Sequence, residues 1–156
     1  MKKLIVLSML LVFSQLSFAQ SDALDKFMGR YKGKEGVMKM SFNGNFDFGN
    51  DEKTKGFNFK SASSKIKGVR LFILDEKAHV QNADFQSLVN DMKRANFDDL
   101  MTIRKGGDRV HFMGRETSKG YTDITFLTKD DKGGAFLMCH EGFFSKRDVE
   151  NMTKEN

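Results

Sequence analysis

Residues 100–142 read LMTIRKGGDRVHFMGRETSKGYTDITFLTKDDKGGAFLMCHEG, and this stretch decides the fold. Leu100 to Lys105, Arg109 to Arg115, Tyr121 to Thr128 and Ala135 to Gly142 are four strand-length runs with a period near two. Between them lie Gly106-Gly107, Ser118-Lys119-Gly120 and Asp130 to Gly134, all turn-forming. The pattern predicts a four-strand antiparallel meander.

Working backward, Phe85, Leu88, Val89 and Met92 fall at i, i+3, i+4 and i+7, which predicts a helix over Ala83 to Ala95 with Asn82 as its cap. Gly68 to Leu74 is almost continuously apolar, as suits a central strand covered on both faces. Phe59, Ala62, Ser63 and Ile66 give a faint helical spacing, and Asn50 to Gly56 is polar enough for a turn. Gly36 to Phe42 alternates as a strand. If it folds into a hairpin, a three-residue loop of Asn43 to Asn45 keeps Phe42 opposite Phe46 and Met40 opposite Phe48, whereas a two-residue loop splits the apolar set. Leu24, Phe27, Met28 and Tyr31 predict a first helix over Asp22 to Lys32, ended by Gly33. After the meander, Ser145 with Asp148 forms a capping box, and Phe144 is placed to staple onto Val149. The expectation is one α+β domain: a mixed, mainly antiparallel sheet ending in the meander, with two to three amphipathic helices packed on one face.

The first residues belong to a different logic. Lys2 and Lys3 precede the mostly apolar Leu4 to Leu16, and Ser17-Phe18-Ala19 is a small-x-small cleavage site. That is the pattern of a secretory signal peptide over residues 1–19. Cleavage leaves residues 20–156, or 156 − 19 = 137 residues, as a single globular domain. The expected address is periplasmic or extracellular. No Cys stands at the junction to take a lipid, and the mature chain is expected to have no transmembrane helix. Loss of Lys2 and Lys3 takes the formal charge from +5 to +3, too modest to imply nucleic acid.

With one Cys, no internal disulfide or thiolate zinc cage can form, so stability falls to an ordinary apolar core in which Phe (16 residues) is prominent.

Lys34-Glu35-Gly36-Val37 after a first helix, Ile66-Lys67-Gly68-Val69-Arg70-Leu71 as a buried strand, and Leu100-Met101-Thr102-Ile103-Arg104 running into Gly106-Gly107 are shared with a known family. With the signal peptide, these segments resemble the exported Bacteroidetes-type domain-of-unknown-function family forty-two fifty-two. The resemblance implies an exported protein and supplies no catalytic residue.

Residues with chemical potential are few. Cys139 and His140 are adjacent and so point to opposite faces of a strand, and a strand separates either from His111. Met113 with His111 and Met138 with His140 have the softness for Cu(I), but the same intervening strand keeps the pairs apart. Asn43, Asn45, Asp47 and Asp51 fail the calcium-loop register, with Phe48 and Thr54 where Gly and Glu are needed. No cofactor or metal is expected. The distinctive charge feature is the run from Lys53 to Leu74, which has no acid and carries Lys53, Lys55, Lys60, Lys65, Lys67 and Arg70, with Phe57 and Phe59 among them. It is the candidate binding strip, suited to an envelope protein with an acidic face or to an anionic lipid or glycan. The expected function is a non-catalytic cell-envelope protein. The alternatives are a periplasmic enzyme built from scattered residues such as His79, His111 and Glu141, a small-ligand carrier, and a subunit bridged through Cys139.

Overall fold

A computed structural model describes residues 18–44 and 65–153. In chain order the elements are α1 (Phe18–Arg30), β1 (Val37–Asn43), β2 (Ile66–Leu74), a 3-10 turn (Glu76–Ala78), α2 (Asn82–Arg94), β3 (Phe97–Lys105), β4 (Asp108–Thr117), β5 (Gly120–Lys129), β6 (Ala135–Phe144) and α3 (Lys146–Met152). The strands form one six-stranded sheet, ordered β1-β2-β6-β5-β4-β3, in which every pairing is antiparallel. β3 to β6 are the expected meander. The apolar β2 sits between β1 and β6, where both its faces find cover.

The sheet carries an apolar layer on each side. On one, α1 and α2 bury Leu24, Phe27, Tyr31, Phe85, Leu88, Val89 and Met92 against Phe72, Leu127, Leu137 and Met113. At about 2 kcal/mol per buried large apolar side chain, the four from α2 contribute roughly 8 kcal/mol as an upper bound. On the other, Leu71, Phe112, Phe126, Phe136 and Met138 form a second cluster with Phe144, Val149 and Met152. The helices therefore divide between the faces, α1 and α2 on one and α3 on the other. α3 turns there because Phe144, the last residue of β6, already points into the second layer. Its capping box is present, with the Asp148 N–H donating to Ser145 Oγ at 3.3 Å and the Ser145 N–H to Asp148 Oδ2 at 2.7 Å.

Polar contacts pin α1 to α2. Tyr31 Oη donates to Asp84 Oδ2 at 2.7 Å and accepts from the Gln81 N–H at 3.2 Å, while Arg30 holds the other Asp84 oxygen at 2.5 Å. Lys26 meets Asp91 at 2.9 Å about two turns further along α2. Burial, with the bond to Asp84, pushes the Tyr31 hydroxyl up to about 12. Gly36 lies at φ 78, and a Cβ there would come within 1.7 Å of Asp75 Oδ1, so only glycine fits this crossing.

Several local expectations change. Along its described length β1 pairs with β2: Phe42 faces Val69, and the Gly44 N–H continues the ladder to the Lys67 carbonyl at 3.0 Å, while the hairpin onto Phe46 and Phe48 lies outside the described residues. Asn82 is the first helical residue of α2 rather than its cap; Gln81 takes that position without a side-chain capping bond. Ile66 opens β2 instead of ending a helix. The rest of that faint helical spacing, the turn at 50–56, and Phe46, Phe48, Phe57 and Phe59 lie outside the described residues. No helix among the described residues is long and apolar enough to cross a membrane.

Candidate functional site

Of the lysine strip, Lys53, Lys55 and Lys60 lie outside the described residues. Lys65 stands immediately before β2 and holds both Asp148 oxygens, at 2.8 and 2.7 Å. Burial alone would push the Asp148 carboxyl up, but the bonds from Lys65 and Ser145 outweigh it and leave it below the usual carboxylate range. Arg70 Nε lies 3.3 Å from Glu141. Next along the sheet, Asp123 lies 3.5 Å from Arg115, whose guanidinium rests over Phe97 at 4.9 Å. Burial raises the Asp123 carboxyl despite that neighbour. At this end of the sheet, Lys65 and Arg70 thus meet acids of the same chain, while Lys67 is exposed.

Cys139 and His140 point to opposite faces, as successive strand residues must. Cys139 is fully buried in the helix-covered layer, and burial pushes its thiol up to about 12. It is neither a nucleophile nor accessible for bridging two copies, which removes the Cys-linked subunit. His140 is equally buried in the second layer, and desolvation lowers it to about 4 in spite of a hydrogen bond to the Ile124 backbone. His111 packs on the other side, against Phe85 of α2, with Nδ1 2.9 Å from Asp99 Oδ1. Burial works against the Asp99 carboxylate, and Lys93 and His111 lower it overall. The two Met/His pairs are thus separated by the thickness of the sheet as well as by β5, a division that only the register of both strands reveals. Among the described residues, no three His, Cys, Asp or Glu side chains group as metal ligands.

The residues named for a scattered enzyme site do not converge. His79 lies in the loop before α2, His111 beneath α2, and Glu141 near the far end of β6, opposite Gly68. A cavity of about 460 Å³ lies elsewhere, lined by Leu74, Ala135 and Phe136 with Asp75, Glu76 and Asp130. Two of its three carboxylates already shape turns: Asp75 accepts from the Lys77 N–H at 2.9 Å, and Asp130 accepts from Lys132 and Gly134 at 3.0 and 2.7 Å. A smaller cavity of about 190 Å³ lies between the β5–β6 turn and the start of α2 and includes His79 and Lys129. Nothing in the spacing of Lys129 within the β5 sequence marks it as a buried cation; only the pairing of β5 with β6 turns it under α2.

Comparison with curated proteins and with solved structures gave no match. A family model does match, over residues 31–152, from Tyr31 beside α2 to the last residue of α3. That span contains the whole sheet and both cavities, and the chain belongs to the family described as Domain of unknown function (DUF4252).

Proposed function

We propose that this is an exported, non-catalytic domain that binds a protein or an anionic component of the cell envelope through the lysine-rich run leading into β2. The observation carrying the reading is that the acid-free stretch from Lys53 to Leu74 presents an exposed Lys67 beside a Lys65 already engaged with a carboxylate. Export is supported by the basic, apolar and small-x-small order of residues 1–19. Because Lys65 is paired with Asp148, reversing its charge would set two carboxylates together and lower stability, so the test spares it. The variant Lys53→Glu, Lys60→Glu, Lys67→Glu should lose retention on vesicles containing anionic lipid, or on an acidic envelope partner, with its melting temperature unchanged. Equal binding by the variant and the parent would overturn the reading.

The cavity of about 460 Å³ favours a second reading, a carrier of a small cationic ligand with an apolar body, since apolar walls and carboxylates meet there. Primary alkylamines should then raise the melting temperature in a saturable way, and Asp130→Asn should abolish the rise. An unchanged melting temperature counts against it.

A further inference from the structure

Lys129 is the buried cation whose charge the described fold leaves without an answer. It closes β5 opposite Ala135 and points into the helix-covered layer beneath the start of α2. Only 4% of it is exposed. Its Nζ donates to the Asp130 carbonyl at 2.8 Å, and among the described residues no carboxylate comes within 4.0 Å of it. An ammonium removed from water without a counter-charge costs several kcal/mol, which a single neutral carbonyl offsets poorly.

Its surroundings supply further hydrogen-bond donors. Lys129 lines the cavity of about 190 Å³ with His79, Val80, Gln81, Asn82, Asp131, Lys132 and Gly133. Gln81 gives α2 no side-chain cap, so the first amides of this 13-residue helix keep their donors, and the one acid of its first turn, Asp84, is already held by Tyr31 and Arg30. The wall is firmly built: the Val80 N–H donates to the Gly133 carbonyl at 2.8 Å, and Gly133, at φ 97, lies so close that a Cβ would touch the His79 backbone at 3.4 Å. The Asp131 N–H is tied to Asp108 at 3.2 Å, and Lys132 reaches Glu76 at 3.5 Å. Stability alone favours an acid, not a buried lysine, beside a helix start; local rules broken together in this way mark functional sites.

We propose that this cavity binds a small tetrahedral oxyanion, a phosphate or sulfate group held by the Lys129 ammonium and the first amides of α2. The site does not rest on the lysine strip: Lys65 and Lys67, its described members, stand at the Ile66 end of β2, whereas Lys129 pairs with Ala135, itself opposite Leu74 at the other end.

The test is titration of the purified protein with inorganic phosphate, and separately with glycerol 3-phosphate, at fixed ionic strength and pH 7.5, followed by amide NMR. Saturable shifts are expected at Asn82, Ala83, Asp84 and Gly133. Tighter binding of the ester would point to an esterified source, and tighter binding of phosphate to the free ion. Lys129→Met keeps the buried stem and removes the charge, and should weaken binding at least tenfold. Asn82→Pro removes one amide donor at the first helical position, where proline is tolerated, and Gln81 already has the extended backbone (φ −72, ψ 144) that must precede it. It should weaken binding several-fold with the helix intact, and it carries the test if Lys129→Met does not fold. Absence of saturable shifts in the parent, or undiminished binding in the variants that keep a folded spectrum, would overturn the proposal.

Discussion

His140 sets up a pH dependence that can be isolated from every other ionisable group. Its imidazole is buried between the β2 and β5 neighbours Val69 and Ile124, and burial lowers it from 6.5 to about 4. Between those values the unfolded chain binds a proton that the folded chain refuses, so stability is full above pH 6.5 and falls as pH drops toward 4. The interval is 6.5 − 4 = 2.5 units, which at about 1.4 kcal/mol per unit corresponds to roughly 3 kcal/mol. Urea unfolding followed by circular dichroism at pH 7 and pH 4.5 should show the parent losing about 2–3 kcal/mol more than His140→Leu. Differencing the two proteins cancels the contributions of His111 and the carboxylates. Equal losses would refute the reasoning, because an imidazole that takes up its proton in the folded state contributes no such slope.

Tyr31→Phe removes a hydroxyl shared by the Asp84 carboxylate and the Gln81 N–H, and should cost about 2 kcal/mol in urea unfolding; a change below about 0.5 kcal/mol would contradict the α1–α2 lock. Ser145→Ala dismantles the capping box of α3 and should cost about 1 kcal/mol, with hydrogen exchange quickened at Asp148 and Val149. Cys139 should resist an aromatic disulfide reagent in the native protein and react at once in denaturant, since its thiol is buried and its acidity low; prompt native labelling would contradict its burial. Stability should also decline above pH 9 to 10, as the unfolded chain ionises at Cys139 and Tyr31 while the folded one holds both protons up to about 12.

Elements whose side chains repeat with one period were legible in the sequence. The helical spacing of Phe85 to Met92, the nearly continuous apolar run of β2 and the glycine-rich turns of the meander each declare a local structure that packing then uses. Long-range pairing was harder to read. The pairing of β1 with β2 joins residues far apart in the chain, and no local signal within β1 names that partner. Register shifts at 99–101 in β3, 113–115 in β4 and 122–124 in β5 also break the two-residue period, so the face occupied by Arg115 or Asp123 does not follow from alternation. The same limit hid Lys129, an ordinary-looking cation at a strand end until β6 and α2 close over it. The lysine strip was plain as composition, but its pairings, Lys65 with Asp148 and Arg70 with Glu141, join residues far apart in the chain.

Crosslinking in the native cell, followed by affinity purification of the tagged protein and mass spectrometry, tests the central claim of envelope binding most directly. The account predicts one reproducible envelope component that is retained by the parent and lost with Lys53→Glu, Lys60→Glu, Lys67→Glu. Retention of the same component by the charge-reversed protein, or recovery of the parent alone, would contradict it.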